Sequence, residues 1–91
     1  MLDKRKFYIN GKWVAPSKAN DLDVIDPCTE ESVAVISLGS KEDTNAAVSA
    51  AKKAFESWKE SSKDERVALL EKLLNIYKKR YSEMVDAISL E

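Results

Sequence analysis

The stretch that decides the fold is RVALLEKLLNIYKKRYSEMVDAI, Arg66 to Ile88. Within it Leu70, Leu73, Tyr77, Tyr81, Met84 and Ile88 recur at steps of three and four, which traces one stripe of an α-helix. Glu71, Lys72, Lys78, Lys79, Glu83 and Asp86 fall off that stripe, so the helix has an apolar side to bury and a charged side for water. Ser62 followed by Glu65 reads as a capping box that starts it. The run from Lys63 to Glu91 is 29 residues without Gly or Pro, long for a globular helix. Ser82-Glu83 offers a restart, so a break is expected near 80–82. The helical sequence continues to Leu90-Glu91 with no Gly or Asn cap, and it reads as passing into a larger body.

Upstream, Ser40 and Asp43 form a second capping-box signature, and Glu42 and Asp43 suit the positive end of a helix dipole. Ala47, Val48, Ala51, Ala54, Phe55 and Trp58 then share one broad face. Its alanines permit close approach, and the expectation is a helical hairpin in which this face covers part of the Leu70–Ile88 stripe. Glu60-Ser61-Ser62 separates the two helices.

The first forty residues change period. Phe7-Tyr8-Ile9-Asn10-Gly11-Lys12-Trp13-Val14 reads as a hairpin on a type I′ turn, because Asn and Gly best tolerate the positive φ it requires. That register sets Tyr8 opposite Trp13, a cross-strand aromatic pair worth up to about 1 kcal/mol. Leu22–Ile25 and Ser32–Leu38 read as further strands, the first ended by Asp26-Pro27 and the second by Gly39. Residues 1–6 are charged and are expected to lie outside any strand. The whole, residues 1–91, is thus expected to be a partial domain. A short antiparallel β meander over 7–38 precedes two or three α-helices, at 40–59 and at 62–91 with its break.

Composition excludes several functions. With 15 basic and 16 acidic residues, balanced in both halves, the chain has no basic stripe for nucleic acid. There is no run of about 18 apolar residues to span a membrane and no secretory leader pattern after Met1. With one cysteine, no internal disulfide forms, and a cytoplasmic location is expected. Histidine is absent, which removes Ser-His-Asp and Cys-His catalysis within these residues. Cys28 lies among Asp26, Glu30 and Glu31, whose charges disfavour a reactive thiolate. The acidic group Asp21, Asp23, Asp26, Glu30 and Glu31 lacks the spacing and glycine of a calcium loop. The only glycines are Gly11 and Gly39, so no dinucleotide or phosphate cradle is present. Arg66, near the positive end of its own helix, is slightly unfavourable there; it reads as an exposed or partly snorkelled arginine, or as one compensated by an ion pair or cap contact with another segment. On the residues alone, the Leu70/Tyr77/Met84/Ile88 stripe suits a self-contained helical interaction module.

The order of segments supports another reading. Tyr8–Val14, then Val24-Ile25-Asp26-Pro27-Cys28-Thr29-Glu30-Glu31, then Gly39–Asp43, Ala47-Val48 through Trp58, Glu65-Arg66 with Leu69-Leu70, and Ile88–Glu91 together resemble the start of the aldehyde dehydrogenase superfamily. The family usually carries Asn-Pro-Ala-Thr-Gly-Glu where this chain has Asp26–Glu31. Cys28 therefore stands for an alanine and is not the family's catalytic cysteine, and Glu30 stands for a glycine. The resemblance implies an α/β parent enzyme that oxidises an aldehyde to a carboxylic acid with NAD or NADP. It does so through a cysteine thiolate and a glutamate base, both far beyond Glu91. It implies that this chain leads the coenzyme-binding domain, with no catalytic and no cofactor-binding residue in these 91 positions. It also implies a monovalent cation held by the backbone carbonyls of Val24 and Ile25. The expected partners are the remainder of the enzyme or another copy of the chain, in a homo-oligomer, and an aldehyde substrate.

Overall fold

The computed structural model describes residues 1–91. Strands precede helices, as the change of period requires: β1 (Leu2–Lys4), β2 (Phe7–Ile9), β3 (Lys12–Val14), β4 (Asp21–Ile25), β5 (Ser32–Ser37), α1 (Lys41–Trp58), α2 (Lys63–Lys79) and α3 (Tyr81–Leu90).

The hairpin has the expected register, with Phe7 opposite Val14, Tyr8 opposite Trp13 and Ile9 opposite Lys12. Asn10 at φ 54° and Gly11 at φ 75° supply the two left-handed positions of its turn. The Tyr8 and Trp13 rings meet with centroids 5.1 Å apart. However, the hairpin is a sheet of its own and not the start of a continuous meander. The other sheet has the order β1-β5-β4, with β4 antiparallel to β5 and β1 parallel to it.

The first residues therefore correct the expectation of a free end. Leu2, Asp3 and Lys4 lie in register with Ala34, Val35 and Ile36. β5 has β4 on only one side, and β1 satisfies its other row of backbone donors and acceptors. Arg5 secures this arrangement. Its guanidinium donates to the Asp3 carboxylate at 2.8 and 2.9 Å and to Asp21, at the start of β4, at 3.2 Å. β5, paired on both sides, contains Ala34 and Ser37, two of the three buried residues.

The helices lie open. α1 packs on β2, where its alanines let the hairpin backbone approach, and it does not fold back on α2. The expected helical hairpin is absent: Phe55, Trp58 and Leu70 all stay exposed. The molecule measures 48 × 35 × 16 Å, with a radius of gyration of 17.0 Å. A compact chain of this length has about 12 Å.

Candidate functional site

Three places in the chain concentrate polar or apolar groups. The first is the knot at the N-terminus of α1. Ser40 is the N-cap, and the full reciprocal box forms. The Asp43 N–H donates to Ser40 Oγ at 3.3 Å, and the Ser40 N–H donates to Asp43 Oδ2 at 3.0 Å. A third segment joins them. The Ser17 N–H donates to Asp43 Oδ1 at 2.9 Å, and the Ser17 and Ser40 hydroxyls lie 2.8 Å apart. Ser40 Oγ directs its one proton to Asp43 at 3.0 Å, so the Ser17 hydroxyl is the donor in that pair. Asp43 is buried, and the Ser17 and then the Ser40 N–H hold its carboxyl below the ordinary carboxylate range. The capping box was legible from spacing; Ser17, 26 residues away, was not.

The second place joins α1 to α2. Only half of the expected Ser62 box forms. The Glu65 N–H donates to Ser62 Oγ at 3.1 Å, with no return bond from the Glu65 side chain. Arg66 makes the contact with another segment that is the alternative to plain exposure. Its Nε donates to Ser61 Oγ at 2.9 Å, its Nη2 lies 3.5 and 3.4 Å from the carbonyl oxygens of Trp58 and Lys59, and its guanidinium covers the Trp58 ring at 5.8 Å. α1 has no basic residue in its own last turn. Arg66 of the next helix supplies the cation that the negative end of α1 favours.

The third place is the apolar side of α2 and α3. The helix breaks at Arg80, whose N–H is shared between the carbonyls of Ile76 and Tyr77. The two pieces form a concave elbow lined by Leu73, Ile76, Tyr77, Met84 and Ala87 together with Arg80 and Glu83. Arg80 and Glu83 pair with each other at 2.9 and 3.2 Å. Nothing covers this side: Leu70 is 64% exposed, Leu73 60% and Ile88 69%. Leu69, Leu74, Ile76 and Val85 are exposed as well, so the uncovered arc is wider than the single stripe read from periodicity.

No catalytic constellation accompanies these features. No three His, Cys, Asp or Glu side chains come together as a metal site. Cys28 is a free, exposed thiol in the turn after β4. Val24 and Ile25 end β4, opposite Ala34 and Ser32, and the register shifts between them. β4 is an edge strand, so backbone groups there that do not face β5 are open to a ligand. In the turn that follows, the Cys28 N–H donates to Asp26 Oδ1 at 2.8 Å, and Glu30 adopts φ 61°. Glu30 thus keeps the left-handed conformation that a glycine would adopt without strain.

Comparison with known proteins matches this strand-then-helix order to one family. The model of the aldehyde dehydrogenase family matches residues 13–91. The chain belongs to the aldehyde dehydrogenase family. It is 44% identical over all 91 residues to a 3-succinoylsemialdehyde-pyridine dehydrogenase from Pseudomonas sp.. It is 42% identical over 86 residues to a putative aldehyde dehydrogenase from Staphylococcus epidermidis. The crystal structure of an aldehyde dehydrogenase from Bartonella henselae superposes on 99% of the chain with a TM-score of 0.97 and 59% identity. The match takes up only 19% of that structure, and the chain likewise spans 19% of the length of the Pseudomonas relative. The open slab is therefore the shape that the corresponding segment holds within the Bartonella structure.

Proposed function

We propose that the chain is the leading part of an NAD(P)-dependent aldehyde dehydrogenase that oxidises an aldehyde to a carboxylic acid. In this reading it begins the coenzyme-binding domain and contributes scaffold, while the thiolate, the base and the cofactor site lie beyond Glu91. The observation that carries it is the 0.97 superposition on a fifth of a solved aldehyde dehydrogenase, by a chain that has no compact core of its own. The surface supports it quantitatively. The chain exposes 7894 Å², whereas a compact protein of its mass exposes about 5,300 Å². The excess of about 2,600 Å² exceeds what a standard partner protein covers on one side, about 800 Å². That comparison favours the remainder of an enzyme over a self-contained interaction module.

The same reading assigns to the carbonyls at Val24 and Ile25 a monovalent cation, supported by their position on an open strand edge. It places the enzyme in the cytoplasm as a homo-oligomer. No helix is long and apolar enough to cross a membrane.

The test is reduction of NAD or NADP by the complete protein with a panel of aldehydes, run beside the 91-residue chain. Aldehyde-dependent reduction by the complete protein alone is expected. Turnover by the 91 residues alone, or none by the complete protein, overturns the reading.

A further inference from the structure

We propose that Asn10-Gly11 is a site of spontaneous deamidation, gated by the hairpin turn that these two residues form. The chemistry needs only the two residues and water. The Gly11 amide gives its proton to solvent base, and its nitrogen attacks Cγ of Asn10. Ammonia leaves with a proton taken from water, and a five-membered succinimide remains. Water then opens the ring at either carbonyl. Opening at Cγ leaves an aspartate. Opening at the backbone carbonyl leaves an isoaspartate, whose main chain runs through the former side chain and is one carbon longer. The net change is OH for NH2, with nothing oxidised or reduced.

The structure favours Asn10 over the other asparagines, Asn20, Asn45 and Asn75. Asn10 and Gly11 are both exposed and lie between the two strands of the hairpin, outside its ladder. A Cβ placed on Gly11 would meet nothing within 4 Å, so the attacking nitrogen and the incoming water have room. Asn45 lies in α1 and Asn75 in α2, and the next residues, Ala46 and Ile76, have their N–H groups tied into the helical ladder and their Cβ atoms beside the nitrogen. Asn20 precedes Asp21, which is paired with Ser37 at the start of β4. The turn also slows the step at Asn10. Ring closure needs rotation about the Asn10 Cα–C bond, out of the left-handed conformation at φ 54°, and the Ile9–Lys12 pair that closes the turn resists it. Once formed, isoaspartate does not fit. A two-residue turn sets the strand register and has no place for a longer main chain, so the alignment of Tyr8 with Trp13 is lost.

The test needs no substitution and does not depend on the catalytic reading. The complete protein is aged at mildly alkaline pH in its native state and in guanidinium, then digested with trypsin, which cuts after Lys6 and Lys12 and releases Phe7–Lys12 as one peptide. Mass spectrometry follows the replacement of NH2 by OH in each asparagine peptide. In the native protein, Asn10 is expected to react several-fold faster than Asn20, Asn45 or Asn75, and several-fold more slowly than it does in guanidinium, because only the opened turn reacts. Native reaction no faster at Asn10 than at the other three overturns the site. Equal rates for Asn10 in the native protein and in guanidinium overturn the gating. The aged fraction, separated by its added negative charge, is expected to show faster amide exchange across Phe7–Val14, and unchanged exchange there overturns the loss of register.

Discussion

The carboxylate of Asp43 binds the backbone N–H of Ser17 across 26 residues, at 2.9 Å, while closing its own helix on Ser40. Asp43 therefore fixes where the loop after the hairpin meets α1. Its folded carboxyl titrates below the ordinary value, so its stabilising contribution is complete above pH about 4 and is lost as pH falls through the lowered folded value. In Asp43→Ala the Ser17 amide is expected to exchange with solvent much faster than in the parent. Amide exchange read by mass spectrometry or NMR checks this, and an unchanged Ser17 rate would sink it. Ser40→Ala removes the cap hydroxyl alone and is expected to cost about 1 kcal/mol.

Arg66 caps a helix that is not its own. Arg66→Ala removes a cation from the carbonyl end of α1 and from the Trp58 face, and is expected to cost about 1 kcal/mol. Arg66→Lys keeps the charge but loses the Nε bond to Ser61, so it is expected to recover only part of the loss. Faster amide exchange confined to the last turn of α1 and the first of α2 is the expected signature.

At Glu30 a side chain occupies a left-handed backbone position, at φ 61°. A non-glycine residue is strained there by about 1–2 kcal/mol, while glycine gives back about 0.5–1 kcal/mol through the freedom of the unfolded chain. Glu30→Gly is therefore expected to stabilise the turn by up to about 1 kcal/mol. The hydrogen bond from the Asp26 N–H to the Glu31 carbonyl, 2.9 Å, should then exchange several-fold more slowly. Faster exchange would show that the glutamate itself supports the turn.

Arg5 holds β1 to β4 through Asp3 and Asp21. The guanidinium lowers the Asp3 carboxyl to about 2. With the folded value depressed, the contribution is present above pH about 4 and disappears only as pH falls toward 2. Both partners are exposed, so salt weakens the pair. Arg5→Ala is expected to raise amide exchange at Asp3 and Lys4, and 1 M salt is expected to reproduce part of that effect in the unchanged chain.

How much of this was legible follows from the reach of each signal. The Asn10-Gly11 turn and its register depend on two adjacent residues, and the Ser40 box on a spacing of three, so the sequence displays both. β1 pairs with a strand some 30 residues away and carries three residues of mixed polarity, a pattern too short to announce a strand. The alanine face of α1 signals close approach but not the identity of its neighbour, which is the hairpin and not α2. The stripe on α2 and α3 marked a face to be buried, yet nothing within these residues covers it, so periodicity had nothing to pair it with. The resemblance supplied the family, and the proposed cation carbonyls at Val24 and Ile25 rest on that resemblance, because carbonyls leave no trace in side-chain spelling.

The uncovered elbow also sets a problem of timing. In the proposed reading this chain leads the enzyme and makes up about a fifth of its length. Nearly 400 residues then remain to be made, which takes roughly 20–80 s at 5–20 residues per second. Until later residues fold against them, Leu70, Leu73 and Ile88 face water. The nascent enzyme is thus most prone to aggregate early in translation, and a chaperone that shields apolar helices would act on it before any catalytic residue exists.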